Sequence, residues 1–141
     1  MPPNNVYGDM IAVKERFGPT IISSDSYDND FVEKLNDSSD FILMKLEEHP
    51  LVFPNPSSLI GTDKTRLDRI TNDLAAALFV EDRSMRARLQ SGAQSFEMQA
   101  VVWRKRAMME LNQFILVKTK TSDLGEIPDF VKVQGTKIGD R

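Results

Sequence analysis

Apolar residues recur at three- and four-residue steps in four stretches of this chain, and each stretch predicts an amphipathic helix. In the first, Met10, Val13 and Phe17 share one face over residues 9–17. Asp9 can cap this helix or complement its positive end. Gly18-Pro19 stops it, because glycine supplies a left-handed turn and proline cannot continue the helix. The second helix spans residues 30–48, with Phe31, Leu35, Ser38, Ile42 and Leu46 facing inward. Asp30 and Glu33 give it a start like a capping box. The small Ser38 and Ser39 predict the close approach of a neighbouring helix, and Pro50 ends the element.

The third helix covers residues 63–82 and repeats Leu67, Ile70, Leu74, Ala77 and Leu78. Its centre, Leu74 to Val80, is apolar almost all round, which marks a central, buried helix. The fourth covers residues 95–117, with a stripe of Phe96, Ala100, Trp103, Ala107, Leu111 and Phe114. Trp103 belongs to that stripe and reads as core. Arg104, Lys105 and Arg106 fall between the stripe positions and cannot all face a core.

The connections differ in character. Residues 20–28 pair a short apolar run, Thr20-Ile21-Ile22, with polar turn chemistry from Ser23 to Asp28. Residues 50–63 hold three prolines that forbid regular helix, yet Leu51, Val52, Phe53, Leu59 and Ile60 are too apolar for a free linker. That loop should pack on the domain or on a partner. Residues 83–94 read as a basic loop with room for one helical turn. After residue 117, Gly125, Pro128, Gly135 and Gly139 argue against helix, and Phe130, Val131 and Val133 suggest a short strand. The expectation is a mainly α protein: a helical domain over residues 1–117, a small bundle of about four helices, with an extended tail over 118–141. The tail residues Leu124, Ile127, Pro128, Phe130, Val131 and Val133 are the candidate partner interface, because an apolar tail docks on something.

Composition narrows the function more than the fold. A chain of 141 residues that is 40% hydrophobic and 28% charged is an ordinary globular domain. It has no cysteine and one histidine. A disulfide framework, a thiolate zinc site and a cysteine nucleophile are therefore excluded, and a Ser-His-Asp triad has little room. His49, beside Glu47 and Glu48 at a helix end, reads as structural. Asp25 to Asp30 resembles a calcium loop only at a glance: the sixth position holds Asp30 where glycine is needed, and the twelfth holds Asn36 where glutamate is needed. Gly61 to Thr65 reads as a helix cap and not a phosphate loop. No catalytic, metal or cofactor-binding residue is assigned, and the chain is read as not an enzyme. No apolar run approaches a bilayer span, and Met1-Pro2-Pro3-Asn4-Asn5 is not a secretory signal, so no membrane partner is expected and a cytoplasmic setting is.

Charge is uneven. Residues 1–63 carry 4 Lys/Arg against 11 Asp/Glu, residues 64–106 carry 9 against 5, and residues 107–141 carry 5 of each, for a net charge of -3. Such asymmetry can pair acidic and basic faces of neighbouring copies. Arg83, Arg86, Arg88, Arg104, Lys105 and Arg106 form the candidate basic surface, suited to phosphates or an acidic partner.

The order of these elements resembles the small head–tail connector, or adaptor, proteins of long-tailed bacterial and archaeal viruses. The resemblance is carried by a short opening helix ending in glycine (Met10 to Gly18) and an acidic connector. It continues with the helix Phe31-Val32-Glu33-Lys34-Leu35 through Ser38-Ser39-Asp40-Phe41-Ile42, a proline-containing loop, and the alanine-rich Asp73-Leu74-Ala75-Ala76-Ala77-Leu78. It covers residues 7–117, and the tail by length and character. The Pro/Ser loop at 50–62 and the basic stretch at 83–94 have no counterpart in that pattern. The resemblance implies a homo-oligomeric ring, typically of twelve copies, in the virion neck and assembled in the host cytoplasm. Its partners would be the portal protein and a tail-side neck or tail-terminator protein, with DNA passing through the channel without specific binding. The competing reading is a small helical DNA-associated or regulatory protein using the basic 83–106 surface.

Overall fold

A computed structural model describes residues 5–18, 25–82 and 93–126. The described chain is mainly helical, with four α-helices and no strand among the described residues. We label them α1 (Met10–Glu15), α2 (Asp28–Glu47), α3 (Gly61–Glu81) and α4 (Ala93–Glu126). A 3-10 turn, Pro56–Ser58, interrupts the connection between α2 and α3.

Helix α3 is the centre. Its residues Ile70 to Ala77 are all buried, as are Leu67, Phe79 and Val80. The near-continuous apolar run in the sequence therefore means what it predicts. Helices α2 and α4 both pack along α3 and run antiparallel to it. Ion pairs mark the register: Lys34 with Asp82 at 2.9 Å, Arg104 with Glu81, and Lys118 with Asp63 at 2.9 Å. The inward stripes of α2 and α4 are those read from the sequence. Phe31, Leu35, Ser38, Ile42 and Leu46 are buried on α2, and Ala100, Trp103, Ala107, Leu111 and Phe114 on α4.

The core has two parts. One is aromatic and centres on Phe17, whose ring lies 5.1 Å from Phe79 and from Phe96, and 5.6 Å from Phe31 and from Trp103. Edge and tilted geometries dominate, as ring quadrupoles favour. The other part joins Ile42, Leu46, Leu67, Ile70, Leu74, Leu111 and Phe114 with Tyr7 and Phe53. Phe53 stacks on Phe114 at 5.9 Å, so the proline-rich loop does fold onto the domain. It does so only in part, since Leu51 and Ile60 stay more than four-fifths exposed.

Several local expectations are corrected. Helix α2 begins at Asp28, two residues early, and Tyr27 precedes it without a side-chain cap. Asp28 instead pairs with Lys14 at 2.8 Å. Helix α3 likewise starts without a side-chain cap, at a Gly61 with φ +69°. Helix α4 does not stop near Val117 but continues to Glu126, so residues 118–126 belong to the helix and the boundary of the extended tail at 118 is displaced. One glycine costs a helix only about 1 kcal/mol, and Lys118 ties this end to Asp63. Leu124 therefore lies on α4, while Ile127, Pro128, Phe130, Val131 and Val133 lie outside the described residues. The extended piece expected at 20–22 and residues 83–92 of the basic loop expected at 83–94, with Arg83, Arg86 and Arg88, also lie outside them, and the loop's last two residues, Ala93 and Gln94, instead open α4.

The segment before α1 has a role the periodicity does not announce. The backbone amides of Val6 and Tyr7 donate to the Ser39 hydroxyl at 2.9 and 3.1 Å. Gly8 donates to Asp68 at 2.9 Å and Asp9 to Asn72 at 2.8 Å. The small Ser39 thus receives an extended backbone and not a neighbouring helix. At Gly8 the fit is tight: φ is +99°, and a Cβ would sit 2.6 Å from the Leu35 side chain and 3.0 Å from that of Thr71. Tyr7 is buried and its hydroxyl donates to the Pro56 carbonyl, linking this segment to the proline-rich loop.

Gly8→Ala should therefore destabilise the fold by about 1–3 kcal/mol, through overpacking and an unfavourable φ. Urea unfolding checks it: the midpoint should fall with an unchanged slope, and an unaltered midpoint would remove the close-approach argument. A second expectation concerns pH. Burial raises the Tyr7 phenol above its ordinary value of 10.0, with Asp68 and Asp63 adding to the rise and a Leu59 backbone hydrogen bond opposing it. A folded-state pKa raised above the unfolded one means this contribution is complete below pH 10 and lost as pH climbs through the folded value. Stability should therefore drop above about pH 10 in the native protein and drop less in Tyr7→Phe, as thermal melts across that range will show.

Candidate assembly surface

Helix α4 has two faces with different fates. Its inner stripe fills the core. Its outer face presents Met98, Val101, Val102, Met109, Leu116 and Val117, between 46% and 73% exposed. Val102, Met109 and Leu116 are seven residues apart and Met98 lies one turn before Val102, so they stand in a row along one side. Lys105 is the charge within that row, and it is exposed. A recess of about 410 Å³ opens beside it, lined by Val102, Lys105, Arg106, Met109, Glu110 and Gln113. Single exposed apolar residues are ordinary, whereas an aligned set on one helix marks an interaction surface. The sequence carried this signal in its seven-residue spacing, masked by the stronger inner stripe.

The candidate basic surface is reshaped. Arg104 makes a two-pronged contact with Glu81, at 2.8 and 2.5 Å. Arg106 clasps Asp73 through Nε and Nη2, both at 2.8 Å. Asp73 is fully buried and takes a second partner, Arg16, at 2.8 Å. Each arginine pKa on α4 is raised, first by its carboxylate hydrogen bond, against a smaller desolvation effect. These guanidiniums serve the fold, and each is held by a carboxylate of the same chain. Of the described members of the set, Lys105 alone keeps its place on the outer row. The structure therefore does not bring Arg104, Lys105 and Arg106 together as an open cationic patch.

A second feature lies between α2 and α4, over α3. A groove of about 240 Å³ is lined by Asp37 and Phe41 from α2, Leu74 and Leu78 from α3, and Arg104 and Met108 from α4. Its floor is apolar and its rims carry opposite charges.

The remaining singled-out residues have structural settings. His49 follows the end of α2, where its amide donates to Leu46 at 3.0 Å and its carbonyl accepts from Val52 and Phe53 at 3.1 and 2.9 Å. Asp28 and Asp30 occupy the first turn of α2. Among the described residues no group of three or more His, Cys, Asp or Glu is placed to hold a metal ion, and no helix is long and apolar enough to cross a membrane. The chain matches no family model, no curated protein and no solved structure.

The Asp73 cluster sets an order of stabilities. Removing the carboxylate frees two arginines that already reach solvent, with side chains 19% and 49% exposed. Removing both arginines strands a charge that is 0% exposed. Asp73→Asn should cost about 1–3 kcal/mol, and the double variant Arg16→Met with Arg106→Met about 3–5 kcal/mol. Denaturant titrations of the two proteins check this, and the opposite order would show that Asp73 reaches water in the native state.

Proposed function

We propose that this chain is a structural assembly protein, and specifically a head–tail connector that forms a ring between a viral portal and its tail. The observation that carries the assembly reading is the outer row of α4. A bundle this well knit by buried aromatics and internal ion pairs has no folding use for four exposed apolar residues, Met98, Val102, Met109 and Leu116, aligned along its longest helix. The resemblance in element order supports the finer reading, with the portal protein on one side and a tail-side neck or tail-terminator protein on the other. The ring would be a homo-oligomer, typically of twelve copies, set in the virion neck with DNA passing through it. Exposed Met98 and Met109 suit such a surface, since methionine adapts to imperfect partner shapes. The competing DNA-associated reading loses support from the described residues, because Arg104 and Arg106 are already engaged by Glu81 and Asp73.

The test is particle mass. Full-length protein mixed with portal rings from the same source should add many copies to each ring. Val102→Asp and Met109→Asp, both on the exposed row, should abolish that gain while leaving the melting temperature unchanged. An unchanged portal mass with the native protein sinks the connector reading, and assembly that survives both substitutions removes the α4 row from it.

A further inference from the structure

We propose that the groove over α3 receives the apolar segment Ile127 to Val133 of a second copy of this chain. The argument begins with reach. Glu126 ends α4, and the groove residue Met108 lies 18 residues earlier on the same helix, about 27 Å back along its axis. A chain gains at most about 3.6 Å per residue, so Phe130 can lie no more than about 14 Å from that helix end and Val131 no more than about 18 Å. Arg104, on the other side of the groove, is a further turn away. Phe130 and Val131, at the centre of the segment, therefore cannot occupy the groove of their own chain. A neighbour's groove carries no such restriction.

Chemistry then selects the segment for this groove. Ile127, Phe130, Val131 and Val133 supply apolar side chains for a floor of Phe41, Leu74, Leu78 and Met108. Phe41 and Leu78 are only partly buried, so a docked ring would complete their burial. Lys132 adds a cation to the segment, and the groove rim offers the exposed Asp37 to receive it. The recess beside the outer row of α4 is a poorer match: the residues that line it all come from one helix, whereas the groove is walled by three.

A segment from one copy seated in a different surface of the next is a heterologous contact. It repeats from copy to copy and closes into a ring when the rotation allows. The inference rests on the connector reading only for its biological setting, since the docking itself requires no portal.

The cysteine-free sequence makes the test clean, because every disulfide is then an introduced one. Full-length Met108→Cys and full-length Val131→Cys are mixed and oxidised. A disulfide forms only where the two Cα atoms come within about 7 Å, so docking should shift both proteins to a mixed dimer that reductant dissolves. Phe41→Cys in place of Met108→Cys guards against a local disturbance of α4 and should behave alike. Leu51→Cys, on the exposed loop, is the control and should give no mixed dimer with Val131→Cys. Absence of the mixed dimer with both groove variants overturns the proposal. So does a Met108→Cys, Val131→Cys double variant that closes on itself as a monomer. A mixed dimer from a protein that leaves the portal mass unchanged upholds this docking and rejects the connector, and portal binding without the mixed dimer does the reverse.

Discussion

A carboxylate at the centre of α3 constrains almost everything around it. Asp73 has no access to water, so its carboxylate must find its partners inside the fold. Arg106 reaches it from α4 and Arg16 from the end of α1. Those contacts fix the rotation of α4 about its own axis, because a shift of one residue turns a helix by about 100° and would carry Arg106 away. With the rotation set, Ala100, Trp103, Ala107 and Leu111 must face inward, and Met98, Val102 and Met109 are left outside. The same contact places Phe17, the residue after Arg16, at the middle of the aromatic cluster.

Much of this could be read from periodicity. The inward residues of α2, α3 and α4 follow from three- and four-residue spacing, since burial acts on whole faces and leaves a regular trace. The trace fails wherever a single contact decides. Nothing local distinguishes Arg106, which reaches a buried acid 33 positions away, from Lys105, which does not. Ser39 looked like a helix-packing residue because small side chains permit any close approach, and spacing cannot say whether a helix or an extended backbone comes near. The run from Val6 to Asp9 is too short to show a period, and its anchoring on Ser39, Asp68 and Asn72 depends on side chains distant in sequence. The persistence of α4 past Val117 was hidden by a conventional reading of Gly125 as a stop, where the neighbouring contacts outweigh one glycine.

Two unsatisfied apolar surfaces result, and they differ in kind. The outer row of α4 is convex and suits a broad, forgiving contact. The groove over α3 is concave, small and flanked by charge, and suits one defined segment. A protein that builds an ordered structure from many copies needs both sorts of contact: one that gathers partners and one that sets their spacing. The connector reading places each in a ring, where neighbours must meet repeatedly through unlike surfaces.

The shortness of α1 has a consequence of its own. Six residues are too few to hold a helix unaided, so α1 depends on its docking through Val13, Arg16 and Phe17 and on the Lys14 contact with Asp28. A short element of this kind can open locally at less than the free energy of global unfolding. Such a release would withdraw one of the two cations from Asp73 and lift Phe17 off Phe31, Phe79 and Trp103 together. The opening helix thus covers the aromatic core through one residue, Phe17, and hydrogen exchange at its amides would report its release.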